Sequence, residues 1–451
     1  MKVIIAGCGK FGKLLTRELT KENHDITVID PKPGLVEDIV DQFDVYGYCG
    51  NAASYDTQLE AGVDKADIFV SCSPSDETNI LCCLVAKKLG VKQTIARLRN
   101  PEYAKQVQIM QNELGVDLTL NPDLDTAEEI FRILRFPSAT KVETFANGRV
   151  NLIEIKIEKG STLANKTLAD IRLKLNVPIL VCAVERGDDV IIPKGNFTLL
   201  EDDVVYITAD NKQITDAFKK LKLFKNTLKS SIIIGGGRIS YYLADLLINS
   251  GISVKIIEKD LKTCHLLTEL LPGALILHGE GTSNKLLLEE GIEEVDSVVT
   301  LTGMDEINIL ISSYAKSVNV GKVITKVNKE NYGTILDTIG LDSIISPKEV
   351  FTNNIIKHTR GMENTQDSEF KTLHRLVDNR VEALEFGISK PTNYTSIPLK
   401  NLKLKKDFLL ASIIRENHVI IPSGNDTLEP FDSVVIVTTN SNVKDLSDIL
   451  E

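Results

Sequence analysis

Lys2-Val3-Ile4-Ile5-Ala6-Gly7-Cys8-Gly9-Lys10-Phe11-Gly12 decides the fold of this chain. An apolar run ends at Gly7, a helical pattern opens at Lys10, and the glycines between them keep the spacing Gly-x-Gly-x-x-Gly. Each glycine has its own reason in such a strand, turn and helix. Gly7 permits the tight turn, Gly9 lets the backbone approach a pyrophosphate, and Gly12 lets the helix pack closely on the strand. The helix start then offers unpaired N–H groups and the positive end of its dipole to phosphate. Asp30 closes the next apolar run, Ile26 to Ile29, where a carboxylate accepts both ribose hydroxyls of an adenosine. A 2′-phosphate would be repelled there, so the pattern favours NAD or NADH over NADP.

The motif is written twice. Gly235-Gly236-Gly237-Arg238-Ile239-Ser240, just past the middle of the chain, answers Gly7 through Gly12. The segment from Ser73 to Leu81 is answered at almost the same offset by Thr302-Gly303-Met304-Asp305-Glu306-Ile307-Asn308-Ile309-Leu310. A register kept over half the chain marks duplication of a large unit, not a short-period solenoid. The second copy is altered, with Ser240 at the packing glycine and Glu258 standing as far beyond it as Asp30 stands beyond Gly12. Serine is small enough for near-normal packing and glutamate serves a ribose, so a nucleotide is expected here too; the plainer alternative is a scaffold kept for assembly.

From residue 1 to about 137, short apolar runs alternate with helical ones in six pairs. That succession specifies a parallel sheet covered on both faces, because parallel strands need crossover helices. Around Phe136-Pro137-Ser138 the rhythm changes. Residues 140 to about 222 read as strands and tight turns (Val150 to Ile157, Val177 to Glu185, Val190 to Pro193, Val204 to Thr208) with one helical stretch, Leu163 to Leu175. The second half repeats this order. The expected class is α/β, with two doubly wound parallel-sheet domains at 1–137 and 229–360, each followed by a small α+β domain, at 138–225 and 370–451. Thr359 to Glu369, polar and aperiodic, reads as a flexible linker.

Composition narrows the class further. With 43% hydrophobic and 25% charged residues in 451, the chain reads as globular and soluble, and no run approaches the roughly 18 apolar residues of a membrane span. A net charge of −11 argues against a general nucleic-acid binder. The N-terminus enters a strand at once and leaves no room for a signal peptide, so the chain is expected to be unprocessed, cytoplasmic and brought to any membrane by a partner. Six of the seven cysteines lie in the first half and ignore the repeat, which suits packed, reduced thiols. No histidine stands at metal-ligand spacing from a cysteine or another histidine.

Ser73-Pro74 and Thr302-Gly303 end the fourth strands, at the crevice where doubly wound sheets bind ligands. Asp76-Glu77 and Asp305-Glu306 open the next helices, where capping explains them more simply than ligand contact. Asn79 and Asn308 recur in one context and suggest a hydrogen bond at the crevice edge. Arg97 and Arg99 follow the fifth strand, with Lys326 and Asn328 at the matching places. A cation at 97 or 326 either reaches phosphate or is a plain surface charge. Catalytic equipment is missing: residues 140 to 222 contain no histidine, and His374 and His418 have no counterparts there. A dehydrogenase needs an acid or base and an anion clamp beside its cofactor. The nucleotide therefore reads as an effector, and an NAD-dependent oxidoreductase is the alternative.

Gly7 through Gly12, Asp30, Gly50, Ser75 through Asn79 and Ala96-Arg97-Leu98-Arg99 together resemble the nucleotide-binding domain of the regulator-of-potassium-conductance (RCK) family. Ile192-Pro193-Lys194-Gly195-Asn196-Phe197-Thr198, repeated from Ile420 to Leu428, is similar to that family's small domain. The resemblance covers essentially the whole chain. It implies a peripheral cytoplasmic subunit, not an enzyme, that docks on a membrane-embedded potassium transporter of the TrkH or TrkG type and gates it according to bound nucleotide. NAD or NADH is expected at the first site, and NAD(H) or ATP/ADP at the second. The family's first site carries over to Gly7, Cys8, Gly9, Lys10, Phe11, Asp30, Ser73, Pro74 and Arg97, and its second to Gly235, Gly236, Gly237, Arg238, Ile239, Glu258 and Lys326. The resemblance also implies a homo-oligomer, a dimer or tetramer forming a ring, whose doubly wound domains pair through crossover helices. Asp125 to Leu134 is the candidate crossover, with Ile130, Phe131 and Leu134 as an apolar stripe that a partner could cover and that a core-facing helix would show equally. Ser240, and Asn51 after Gly50, depart from the family pattern and bear on which nucleotide each half prefers. Asp202 and Phe431 stand where a turn glycine is common, so no small-domain ligand is expected.

Overall fold

The computed structural model describes residues 1–451 apart from 105, 137, 176–178, 222–227, 330–331, 342, 364–367, 378, 417 and 441–442. The strand Lys2–Ala6 lies near the middle of a six-stranded parallel sheet, and Val3 to Ala6 are buried because helices cover both faces. Asp25–Asp30 and then Tyr46–Cys49 pair on one side of it; Ile68–Ser71, Gln93–Arg97 and Leu118–Leu120 follow on the other. The order of strands therefore reverses between the first and the fourth, and the crevice opens there, where Gly7 follows the first strand. A second six-stranded sheet repeats this order around Ser230–Ile234, its flanking strands being Ser253–Glu258 and Ser297–Thr300. The fold is α/β, with two doubly wound parallel sheets as expected.

Two five-stranded antiparallel sheets accompany them. Lys141–Phe145, Val150–Lys156, Val204–Asp210, Leu180–Arg186 and Asp189–Ile191 lie side by side in one; Ser368–Leu376, Val381–Ile388, Ser433–Thr438, Phe408–Arg415 and His418–Ile420 lie in the same order in the other. Lys141–Phe145 escaped the sequence reading because its run Lys-Val-Glu-Thr-Phe is half polar. Its Glu143 is buried rather than solvated. The stretch predicted as helix over 163–175 forms one only from Leu168 to Leu175, after the two-residue strand Lys166–Thr167.

The two halves interlock. The crossover helix Pro122–Arg135 leaves the first sheet and packs on Arg238–Asn249 of the second, while Pro347–Glu363 leaves the second sheet and packs on Lys10–Lys21 of the first. Ala127, Ile130, Ile133 and Leu134 are buried with Leu243 and Leu247, and the partly buried Phe131 packs against the same cluster. Phe351, Ile355 and Ile356 are buried with Leu15 and Leu19, and that core runs on into the second antiparallel sheet through Phe370 and Phe386. The two small sheets press their apolar faces together, with Phe145, Leu152 and Tyr206 against Val381, Ala383 and Val437.

The expected linker is a correction. Thr359 to Glu363 continue the second crossover helix, and Ser368 and Glu369 already belong to a strand; residues 364–367 lie outside the described part. Thr359, Arg360 and Ser368 are buried, while Glu363 is half-buried and Glu369 exposed. Arg360 places Nε 2.7 Å and Nη2 2.8 Å from the carboxylate of Glu22, and Nη1 2.7 Å and Nη2 2.9 Å from that of Glu382. Arg375 adds bonds to Glu18, at 3.2 Å, and to Glu22. Burial pushes the Glu22 carboxyl up, but its bonds to Arg360 and the charge of Arg375 hold it below the usual range. At Glu382 burial prevails and the carboxyl is pushed up. The network joins the first doubly wound domain, the second crossover helix and the second small domain.

A cavity of about 340 Å³ lies between the two crossover helices, lined by Asp125, Glu129, Lys141, Glu143, Lys357 and His374 among others. Burial raises Asp125 to about 7, with Glu128 adding to the shift and Asn354 opposing it. Burial and the neighbouring Glu143 raise Glu129 to about 7 against Lys141, Arg132 and His374. Burial would raise Glu143 too, but His374, 2.5 Å away, and Lys141, 3.1 Å away, hold it well below the usual range. Asp125 and Glu129 bind protons more tightly in the folded chain than in the unfolded one. Between roughly pH 4 and 7 the folded state therefore holds more protons, and stability falls as pH rises. Glu143 acts the other way, but its contribution is lost only at strongly acid pH, below that window. The melting temperature should drop between about pH 4 and pH 7, and Asp125→Asn with Glu129→Gln should flatten the drop. An unchanged slope in the double variant would refute the assignment.

Candidate nucleotide-binding sites

Gly7 carries the turn. Its φ is +107°, a region most side chains avoid, and an added Cβ would lie 3.1 Å from the Ser73 amide nitrogen. Gly12 lies where the helix Lys10–Lys21 crosses that turn, and a Cβ there would come 1.8 Å from the Gly7 carbonyl oxygen. Gly9 differs from both. Its φ of −69° suits any residue, and nothing lies within 4 Å of where its Cβ would be. The chain itself thus requires Gly7 and Gly12, whereas the space over Gly9 is left open. The helix it precedes begins without a side-chain cap, whereas Ser75 caps Asp76–Leu89 and Asn121 caps Pro122–Arg135. Its first N–H groups are left for another acceptor.

The second loop has the same construction. Gly235 has φ +100°, the space beside Gly237 is open, and Arg238–Asn249 starts without a side-chain cap. Ser240 is fully buried and donates its hydroxyl to the Gly235 carbonyl at 2.5 Å. The residue in place of the packing glycine ties the turn instead of clashing with it. Gly236 matches Cys8, and a side chain there would run into Leu267 at 2.8 Å and Glu258 at 3.0 Å.

Asp30 and Glu258 occupy equivalent positions. Asp30 accepts the Cys8 amide at 2.8 Å and the Lys32 amide at 2.9 Å. Glu258 accepts the Gly236 amide at 2.5 Å and the Asp260 amide at 2.8 Å. Both carboxylates therefore clasp the loop as well as standing at its crevice, and each oxygen keeps acceptor capacity for a further donor. The Cys8 thiol is pushed up to about 12, first by burial and then by Asp30, and stays protonated.

The crevice edges are stapled. Asn79, fully buried, accepts the Ser73 amide at 2.8 Å and donates to the carbonyls of Ser73, at 3.1 Å, and Arg97, at 2.8 Å. Asn308 repeats this with Thr302 and Lys326. Asp76 accepts the amides of Arg99 and Asn100, and Asp305 those of Asn328 and Lys329, so these acids hold the loop after the fifth strand while Ser75 serves as the cap. Arg97 is no surface charge. It is 7% exposed, lies 3.7 Å over the Phe11 ring, and burial lowers its pKa to about 10. Lys326 is lowered by burial as well, and its ammonium donates to the Leu301 carbonyl at 3.2 Å.

Lys10 and Arg238 are exposed at the two helix starts, Ser73 is half-buried and Pro74 exposed. Ile239 lies in the core with Leu243 and Leu247, so its side chain serves packing. Asn51 is exposed and accepts the Ala53 amide at 3.0 Å, closing its own turn. Sequence reasoning missed Asp123, in the first turn of the first crossover helix. Burial raises its carboxyl, while Arg99, Arg97, Arg238 and Lys326 all draw it down. Beside it Asn121 donates to the Tyr242 hydroxyl at 3.0 Å, and that hydroxyl lies 3.4 Å from the Arg99 carbonyl. Cations from both crevices thus gather around one carboxylate. Asn121 and Tyr242 come from different halves of the chain, and no local pattern connects them.

Comparison with known proteins supplies the family. The TrkA-N domain matches residues 3–122 and 231–347, and the TrkA-C domain matches 152–222 and 385–451. The chain belongs to the TrkA family. A Trk system potassium uptake protein TrkA homolog from Archaeoglobus fulgidus is 32% identical over 451 residues, the full length of both chains. TrkA homolog 1 from Methanosarcina mazei is 33% identical over 449 residues, 98% of each. Among solved structures, the GsuK channel bound to NAD superposes with a TM-score of 0.62 at 15% identity, covering 99% of this chain and 78% of that one. That likeness establishes the shared fold. Each TrkA-N match contains one glycine loop, its carboxylate and its stapled crevice, so the family assignment and the two candidate sites coincide in the chain. Both relatives are named as proteins of potassium uptake. Among the described residues no helix is long and apolar enough to cross a membrane.

Proposed function

We propose that this chain is the nucleotide-sensing regulatory subunit of a potassium uptake system, with one sensor in each half. The open space over Gly9 and Gly237 carries the reading. The backbone requires glycine at neither position, yet both flank an uncapped helix start and a carboxylate-clasped loop, where a pyrophosphate is held by backbone N–H groups. Gly7, Cys8, Gly9, Lys10 and Phe11 form the first cradle, Asp30 faces the ribose, and Ser73, Pro74 and Arg97 close the crevice around NAD or NADH. Gly235, Gly236, Gly237, Arg238 and Ile239 with Glu258 and Lys326 do the same for NAD(H) or ATP/ADP. The names of the potassium-uptake relatives and the NAD bound by GsuK support the reading.

The four units run over 1–137, 138–225, 229–360 and 370–451. The subunit works in the cytoplasm, peripheral to a membrane-embedded transporter of the TrkH or TrkG type, as a homo-oligomeric ring, dimeric or tetrameric. Leu81 and Leu310, exposed by 49% and 60% at matching positions of the helices Asp76–Leu89 and Asp305–Ser317, suit such an assembly face. A coupling of about 1 to 3 kcal/mol between nucleotide and ring shape shifts a gate roughly 5- to 150-fold.

Thermal melting of the full chain with NAD, NADH, ATP or ADP tests the sensors. A ligand at about 100 times its Kd stabilises the folded state by roughly 2.7 kcal/mol. Gly9→Val should abolish the stabilisation due to the first site and Gly237→Val that due to the second, with melting unchanged when no nucleotide is added. If both variants respond as the unaltered chain does, the sites are misassigned. Turnover of NADH absorbance with a small substrate would favour the oxidoreductase instead.

A further inference from the structure

Phe11 has two neighbours of different kinds. The guanidinium carbon of Arg97 lies 3.7 Å from its ring centroid. The ring of Phe351 meets it edge to face, with centroids 5.4 Å apart and planes at 79°. Phe351 comes from the other half of the chain, on the crossover helix Pro347–Glu363, and is fully buried among Leu15, Leu19 and Ile355. Arg97 is nearly as buried, yet its Nη1 makes only a long bond of 3.4 Å to the Cys72 carbonyl and its Nε has no hydrogen-bond partner among the described residues. A buried guanidinium so poorly paired is costly unless an anion or an aromatic face compensates it. The second half lacks this arrangement. Ile239 stands for Phe11 and Lys326 for Arg97, and Thr126 follows Pro122 at the distance by which Phe351 follows Pro347.

We infer that Phe351 is a positioning residue for the first nucleotide site: through the Phe11 ring it fixes the Arg97 guanidinium at the crevice, so a diphosphate bound there senses how the second crossover helix is seated. The inference rests on the nucleotide reading above. Edge-to-face contact sets the tilt of Phe11, and the tilt sets the face on which the guanidinium rests. The helix that carries Phe351 also carries Arg360, bonded to Glu22 and Glu382, so its seating is shared with the second small domain. By linkage, the diphosphate biases the helix as strongly as the helix biases the diphosphate. Only the first site is coupled in this way, because Ile239 and Thr126 offer no ring.

Calorimetric titration of the full chain with NAD tests this, on a Gly237→Val background that confines binding to the first site. Phe351→Leu should weaken NAD binding about fivefold, the order of an edge-to-face ring contact, and Phe11→Leu about tenfold or more, since an aromatic platform for a buried cation is worth more than that. Phe351→Tyr, which keeps the ring, should bind as the parent does. With Arg97→Gln present, Phe351→Leu should have no further effect, an outcome that a merely structural role for Phe351 would not give. Equal weakening with and without Arg97, or no weakening at all, overturns the inference. If Phe351→Leu fails to fold, Phe351→Met, closer to it in volume and likewise without a ring, carries the same cycle with Arg97→Gln. The nucleotide reading fails separately, by NAD binding that survives Gly9→Val on the same background.

Discussion

Arg360→Met should destabilise the chain by about 3 to 5 kcal/mol, because removing one partner from a buried ionic network leaves the others buried and unpaired. Arg360 is 8% exposed and its guanidinium bonds two carboxylates, Glu22 and Glu382. Methionine fills much of the volume, so the loss is electrostatic rather than a cavity. Replacing Glu22 and Glu382 by glutamine in the same chain should recover part of it. Arg135 ends the first crossover helix at the matching place but is exposed, and Arg135→Met should change stability by no more than about 0.5 kcal/mol. Urea unfolding of the full chain, followed at its first transition, measures both. An Arg360→Met loss no larger than the Arg135→Met change would show that the network is screened by solvent.

Gly12→Ala should be as damaging, at about 3 kcal/mol or more, since overpacking against backbone has no rotamer through which to relax. The added Cβ falls 1.8 Å from the Gly7 carbonyl oxygen, so either the helix or the loop must move. Alanine at the matching position of the second loop is mild. Ser240→Ala keeps a Cβ that the second loop already accommodates and removes one buried hydrogen bond, for a loss of about 1 kcal/mol. The two halves thus solve one packing problem in incompatible ways. A Gly12→Ala chain that melts and binds NAD like its parent would refute the steric argument.

The doubly wound sheets were legible because their signals are local: apolar runs of strand length, glycines at fixed spacing and a carboxylate at the next strand end all lie within a short stretch of chain. Asp30 and Glu258 were found for that reason, although their second task of clasping the loop amides shows only when Cys8 and Gly236 are brought beside them. Asn79 and Asn308 stood out by recurrence, and what they bond became clear only with the fifth strand in place. Asp123, Tyr242 and Phe351 carried no local signal, since Tyr242 and Phe351 act on groups of the other half and Asp123 on cations from both.

Sequence alone settled the duplication, the class of each sheet and the position of both glycine loops, because turns and strand starts are governed by backbone sterics between near neighbours in the chain. Tertiary structure decided the rest. It sent each crossover helix to the opposite half, tied the second small domain to the first doubly wound domain through Arg360, and turned an apparent linker into a helix end. The physical reason is that a polar run is solvated or buried according to what packs against it. At Thr359 and Arg360 the partners are Ile356, Glu22 and Glu382, and two of those three lie beyond any local window.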